Sequence, residues 1–502
     1  MNQNRLLYLT VFLTGAGVLI IEVAAVRVLT PFYGSSLYVF SAVLTTILTA
    51  LSLGYWFGGQ RSDKRHSLTD LFSIITLSGV LVLLFELLTI ITVPLIASAL
   101  PPTFGPLVFA FGLFFLPAFL LGMVSPYVIK LQSLSTDPEH IGSVVGGTFF
   151  WGTVGSILGS IAAGFWLIPF YGVQNSIVAV GLGLVLTGLI IPAVLRKPLS
   201  TNRWLVGLFI TAVIVSLISL VEDNDARNVV FKTEGIYSSI TVSDTQHTGR
   251  PMRLLNRDTN NSSAIFLDGT DLVFSYTRFI ELYQELVDDP QSLLVLGGGA
   301  YTVPRTLSII NPELAIDVVE IEPKLFEIAQ TYFDYTPTEN TRNFNQDARV
   351  FLSRSEDTYD IIFSDLFSTD LAAPFHLSTV EFYQEIYDHL SEDGVLILNY
   401  VGRPKGPRPS LTGSMVKTIT SVFPNAVAYG LNNNDDVFQN IIFIASKGER
   451  PIDLSDYAMV NNYGENVPLE QLALNLDSYD REREILLTDD FAPVSRLMAK
   501  QK

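Results

Sequence analysis

No cysteine occurs among the 502 residues, which excludes disulfides, thiolate nucleophiles and cysteine-ligated metals. The five histidines, His66, His140, His247, His376 and His389, show no ligand spacing, so no metal site is expected. No nucleophile, histidine and acid trio is apparent either. Charge is scarce as well. Asp, Glu, Lys and Arg make up 16% of the chain, against roughly 25% in an average soluble protein. Basic residues are the scarcer sign, 31 against 49 acids, for a net charge of -18. Phosphate backbones need concentrated Lys and Arg, so this balance argues against a nucleic-acid partner and favours cationic ligands. An acidic solvated surface accounts for the same charge without any ligand.

Long apolar runs are abundant instead, within a hydrophobic fraction of 49%. Seven of them, at residues 6–26, 37–58, 71–95, 104–129, 145–169, 176–195 and 204–221, have about the length needed to cross a hydrocarbon core of about 30 Å. The first is followed at once by others, which argues against a cleaved leader. Arg61, Lys64, Arg65, Lys130, Arg196, Lys197 and Arg203 lie after the second, fourth and sixth runs, while the alternate loops are almost uncharged. The positive-inside rule then predicts a multi-pass protein of the cell membrane with a cytoplasmic N-terminus. With seven spans it puts everything after Val221 outside, whereas a cytoplasmic co-substrate would favour the inside. Small residues at Gly155, Gly159 and Gly164 read as a close-packing seam between helices.

After the acidic break Glu222-Asp223-Asn224-Asp225 the pattern changes to short alternating runs such as Ser239-Ile240-Thr241-Val242 and Ala264-Ile265-Phe266-Leu267. These predict a small antiparallel β-domain with hairpins. A helix is expected over 276–286. Apolar strands at 293–296, 316–320, 359–364 and 395–400 then alternate with helices, and a last antiparallel strand is expected at 438–445. Such alternation predicts a parallel sheet covered on both faces. The fold class expected is therefore a membrane α-helical bundle (1–221), a small β-hairpin domain (222–275) and an α/β domain (276–502), for which the family resemblance given below implies a Rossmann-like, methyltransferase-type fold.

The chemistry concentrates in the last of these. Leu294-Val295-Leu296 runs into Gly297-Gly298-Gly299, a turn where the absence of Cβ atoms lets backbone approach a ligand closely. Glu320 ends the next strand and is placed to accept ribose hydroxyls. The turn is not the spaced dinucleotide pattern, so a nucleoside without phosphates is the expected ligand. Asp347 suits either an adenine amino group or a helix N-cap. Asp365 ends another strand, at the edge where open α/β sheets bind ligands.

Gly297-Gly298-Gly299, Glu320, Asp347, Asp365 and the helix Val380-Glu381-Phe382-Tyr383 together resemble the spermidine synthase family of polyamine aminopropyltransferases, over about 235–446. The helical half resembles multi-pass proteins in which a transporter-like bundle is fused to such a domain. The resemblance implies a decarboxylated S-adenosylmethionine co-substrate, with no permanently bound cofactor, donating an aminopropyl group to a cationic amine. It implies that Glu320 holds the ribose, Asp347 the adenine, and Asp365 orients and deprotonates the amine beside the active-site tyrosine, Tyr276. Family members are commonly oligomers, so a homo-oligomer is a possible assembly.

Four positions depart from the family pattern. Ala300 replaces an aspartate that would bind the donor's ammonium, and Ser238, Thr277 and Ser368 replace other polar groups, although Asp370 lies nearby. Fewer acceptors make a buried ammonium costly, so intact S-adenosylmethionine becomes a second expected donor. Arg278 is then a candidate counter-charge for its carboxylate. Methyl transfer, intramolecular cleavage to methylthioadenosine, and a transport or sensing role without turnover remain alternatives to aminopropyl transfer.

Overall fold

The computed structural model describes residues 3–34, 36–96, 100, 101, 103–195, 228–367, 374–432, 434–448, 451–461 and 464–501. The chain divides into two compact units, Met1–Arg227 and Asn228–Lys502.

The first unit is helical. Its long helices are Gln3–Tyr33 (α1), Leu37–Lys64 (α2), Leu68–Ile96 (α3), Gly105–Gly122 (α4) with its continuation Val124–Ser133 (α5), Ile141–Ala162 (α6) and Val173–Val194 (α7). Among the described residues five helical spans are long and apolar enough to cross a membrane, with α4 and α5 counted as one and α3 not included. The expected seventh run, 204–221, lies outside the described residues. Ser36 caps α2, its hydroxyl accepting from the Val39 amide, while α6 runs through a π turn, Ala163–Leu167, on to Tyr171.

Packing in this unit depends on missing side chains. A Cβ at Gly155 or Gly159 would collide with the α1 backbone at Phe12 or Ala16. Gly164, expected in the same seam, has nothing within 4 Å of its would-be Cβ and lies in the π turn. The turn rotates the helix face, so the every-fourth-residue spacing stops predicting contact there. Large apolar side chains face outward instead of inward, among them Phe40, Trp56, Phe150, Phe165 and Trp166. At the ends of α2, α3 and α5, Lys130 pairs with Asp63 at 2.8 Å and Arg61 with Asp70 at 3.5 Å.

In the second unit, Val229–Glu234 (β1), Ser239–His247 (β2), Arg250–Arg257 (β3) and Asn260–Phe266 (β4) form an antiparallel sheet in chain order. Its inner residues Ile240, Val242, Leu255 and Ile265 pack with Ala300, Leu325, Ile328 and Phe333. The stretch expected as one α-helix at 276–286 is a 3-10 helix, Thr277–Leu282, followed by a single α turn, Tyr283–Leu286.

Seven strands make the main sheet: Ser292–Leu296 (β5), Ala315–Val319 (β6), Thr341–Phe344 (β7), Tyr359–Ser364 (β8), Leu390–Gly402 (β9), Asn425–Gly430 (β10) and Gln439–Ser446 (β11). The order is β10-β11-β9-β8-β5-β6-β7, parallel from β9 to β7, with β11 antiparallel to both its neighbours. Helices Thr302–Ile310 (α8), Lys324–Tyr332 (α9), Ala348–Leu352 (α10), Val380–Asp388 (α11) and Leu411–Val422 (α12) join the strands, and Thr379 and Ser410 cap the last two. Apolar side chains on both faces of β5, β8 and β9 feed two separate core clusters, which is why those strands read as continuous apolar runs. The chain travels outward from β5 to β7 and then returns to β8 on the other side. That reversal opens a crevice at the carboxyl ends of β5 and β8, where such sheets take ligands.

Candidate active site

The glycine turn leaves β5 at this crevice. Gly297 and Gly299 have φ of +93° and +54°, a region unfavourable to side chains. A Cβ on Gly297 would strike the Asp365 carbonyl, and one on Gly299 the Ser263 hydroxyl, so the turn is wedged between β8 and the small sheet. Gly298 sits between them against Tyr301.

Glu320 braces this turn from the end of β6. Its Oε2 accepts from the Gly299 amide at 3.0 Å and its Oε1 from the Glu322 amide at 2.9 Å. A carboxylate offers about four acceptor directions, so each oxygen keeps capacity for a further donor such as a ribose hydroxyl. The side chain is buried, 4% exposed, yet borders the crevice.

Asp365 follows β8 and is tied to β5 through its own amide, which donates to the Leu296 carbonyl at 2.8 Å. Its Oδ1 accepts from Asn399 Nδ2 at 2.7 Å, and Asn399 Oδ1 in turn accepts from Asn440 Nδ2 at 2.9 Å. The Tyr276 hydroxyl is within reach of both Asp365 and the Ser262 carbonyl, 3.1 Å away. Asp365 keeps partial exposure toward the cavity but is ringed by protein. Burial pushes its carboxyl from 3.8 up to about 6, the Asn399 and Tyr276 hydrogen bonds resist, Glu320 adds to the rise and Arg257 opposes it. Burial and the neighbouring Asp365 raise Tyr276 well above its usual value, so it stays a neutral donor.

These groups converge on one cavity of about 290 Å³, bordered by Gly299, Glu320, Asp365, Tyr276 and Asn399 from the main fold and by Arg257 and Asn260–Ser262 from the β3–β4 hairpin. Asp347 stands apart. It is the N-cap of α10, with Oδ1 accepting from the amides of Arg349 at 2.9 Å and Val350 at 3.1 Å. Its Oδ2 lies 3.6 Å from His376 Nε2, and that contact, with the cap, holds its carboxyl below the usual range. Arg278 does not border the cavity, because its Nε donates to the Leu272 carbonyl at 2.9 Å. Arg257, which the sequence did not single out, borders it instead. Asn399 and Asn440 were also missed, although an asparagine inside the apolar run 395–400 was a usable signal.

The altered positions are filled in their own way. Ser238 Oγ accepts from Arg257 Nε at 3.2 Å, Thr277 Oγ1 donates to the Phe274 carbonyl at 2.7 Å, and the Ala300 amide donates to Ser263 Oγ at 3.1 Å. Ser368 and Asp370 lie outside the described residues.

The fold and crevice define a Rossmann-like α/β domain with a carboxylate at the ends of the two strands that flank β5, one of them, Asp365, hydrogen-bonded beside a tyrosine. Residues 274–432 of this domain match the family described as "Spermine/spermidine synthase domain". A polyamine aminopropyltransferase of Vibrio vulnificus is 37% identical over 131 residues, 26% of this chain and 44% of that protein. The chain thus spans less than half the length of that relative. Polyamine aminopropyltransferase 2 of Aquifex aeolicus is 23% identical over 413 residues, 79% of each chain. The crystal structure of spermidine synthase from Thermotoga maritima has a TM-score of 0.35 at 20% identity, covering 45% of this chain and 75% of that one.

Proposed function

We propose that the second unit is a transferase that consumes a sulfonium adenosyl donor, S-adenosylmethionine or its decarboxylated form, and releases methylthioadenosine. The observation that carries this reading is the convergence of Glu320, Asp365, Asn399 and Tyr276 on one cavity at the reversal point of the sheet. Glu320 would hold the ribose with the acceptor capacity left after it braces the glycine turn. Asp347, outside the cavity lining, would meet the adenine amino group with Oδ2, the oxygen that now faces His376. The relatives' names motivate an amine acceptor, and the acidic chain suits a cation.

In the reaction, the lone pair of an uncharged amine attacks the carbon bonded to sulfur. The new C–N bond forms as the C–S bond breaks, and the bonding pair stays on sulfur, which leaves as a neutral thioether. The nitrogen's extra proton passes to the Asp365 carboxylate, held in place by Asn399 and Tyr276. A carboxyl that titrates near 6 is mostly ionised at neutral pH and has a stronger affinity for the proton than an ordinary aspartate. No step requires a metal or a bound cofactor.

The first unit would anchor this domain to a bilayer, a reading supported by five apolar spans and their outward-facing Phe and Trp side chains. Product analysis tests the activity. With purified full-length protein, donor and putrescine, the account expects methylthioadenosine together with a longer polyamine. Methylthioadenosine alone would indicate intramolecular cleavage, S-adenosylhomocysteine would indicate methyl transfer, and no product would leave a binding protein.

A further inference from the structure

Among the described residues, Arg257 is the one Lys or Arg bordering the active-site cavity. It ends β3, and its Nε is fixed by Ser238 Oγ at 3.2 Å, which leaves the two terminal nitrogens for another acceptor. No ion pair to Arg257 is formed within 4.0 Å by any described carboxylate, although its charge is felt at Asp365. Across the hairpin, Asn260 also borders the cavity, and its Nδ2 is buried with no hydrogen-bond partner among the described residues. Two residues bordering the cavity, one of them cationic, thus keep hydrogen-bond donors that no described acceptor satisfies.

The acceptors in the cavity are partly engaged. Glu320 is held by two backbone amides and Asp365 by Asn399 and Tyr276, while Asn261 and Asn440 are neutral. A guanidinium in a partly desolvated cavity attracts a carboxylate through paired N–H donors and repels an ammonium. The two possible donors differ in this one respect. S-adenosylmethionine ends in a carboxylate beside its ammonium, whereas the decarboxylated form ends in the ammonium alone.

We propose that Arg257, with Asn260, is a specificity determinant that selects the carboxylated donor, S-adenosylmethionine, over the decarboxylated one. The inference rests on the reading of this cavity as a sulfonium nucleoside site. It assigns the counter-charge role to the β3–β4 hairpin and removes it from Arg278.

Calorimetric titration of the full chain in detergent with methylthioadenosine, S-adenosylmethionine and decarboxylated S-adenosylmethionine tests it. The expected result is S-adenosylmethionine binding at least about tenfold more tightly than the decarboxylated form, with Arg257→Gln lowering that ratio by about tenfold and Arg257→Lys lowering it less. If Arg257→Gln no longer binds methylthioadenosine, the ratio measured for Arg257→Lys decides. Equal or tighter binding of the decarboxylated donor, or a ratio unmoved by both variants, overturns the proposal while methylthioadenosine binding keeps the nucleoside site. Failure of all three ligands to bind overturns the site and the proposal together.

Discussion

Asp365 should cost the fold stability at the pH where it works. Its carboxyl titrates at about 6 in the folded chain against 3.8 for an ordinary aspartate, chiefly because it is buried. That displacement corresponds to about 3 kcal/mol, at about 1.4 kcal/mol per pH unit. The raised value fixes the sign. The contribution of the neutral acid is fully present below pH 3.8 and is lost as pH rises through about 6, because the unfolded chain ionises more readily. Between pH 5 and pH 8 about half of the total, on the order of 1.4 kcal/mol, should disappear. Asp365→Asn cannot titrate and can still accept from Asn399, so it should lack this loss. All four tryptophans, Trp56, Trp151, Trp166 and Trp204, lie in the first unit, so tryptophan fluorescence is blind to the effect. Hydrogen exchange of peptides covering β5, β8 and β9 reads it directly. After correction for intrinsic rates, wild-type protection should fall about tenfold more than that of Asp365→Asn between the two pH values. Equal pH dependence in the two proteins, or a variant less protected at pH 8, would refute the argument.

Other substitutions test separate parts of the account. Glu320→Gln places an NH2 group against one of the two backbone amides that the carboxylate now satisfies, so methylthioadenosine affinity by calorimetry should fall roughly 10- to 100-fold, and an unchanged affinity would remove Glu320 from the site. Asp317 is 4% exposed and relies on Arg342 Nε at 2.7 Å and the Tyr359 hydroxyl at 2.7 Å. Arg342→Ala should lower the opening free energy of β6 by about 2 kcal/mol in hydrogen exchange, less than for a fully buried pair because Arg342 is itself exposed. In the first unit, Gly155→Ala drives a methyl group into the Phe12 carbonyl and should destabilise the α1–α6 contact by about 1–3 kcal/mol. Gly164→Ala, with open space around it, should leave thermal unfolding in detergent unchanged, and equal effects from the two would refute the packing argument.

Particular residues show how far the sequence carried. The strands 293–296 and 359–364 were legible because their residues alternate between two buried faces and give unbroken apolar runs, and the glycine turn stood out because Gly297 and Gly299 adopt backbone angles few other residues take. β10, Asn425–Gly430, was missed because it lies at the sheet edge, where its first three residues are only part-buried and the apolar signal is weak. The 3-10 helix at Thr277–Leu282 carries the same apolar spacing as an α turn, so periodicity did not separate them. Asp347 had two readings in the sequence, and the cap is visible in the fold because its amide partners are two and three residues away. Arg257 and Asn440 escaped notice because they reach the cavity from a hairpin and from the antiparallel strand β11, distant in sequence from the glycine turn. Arg278 drew attention for its nearness to Tyr276, but helical geometry turns it toward Leu272.

The rate of methylthioadenosine release as a function of pH bears most directly on the central claim that Asp365 takes the proton in transfer from a sulfonium nucleoside. Full-length wild type with saturating S-adenosylmethionine and an amine should release methylthioadenosine with a rate that rises with pH through a step near 6, and Asp365→Asn should lose turnover while still binding methylthioadenosine. Release by Asp365→Asn at the wild-type rate, or a wild-type rate without a step in that range, would contradict the account.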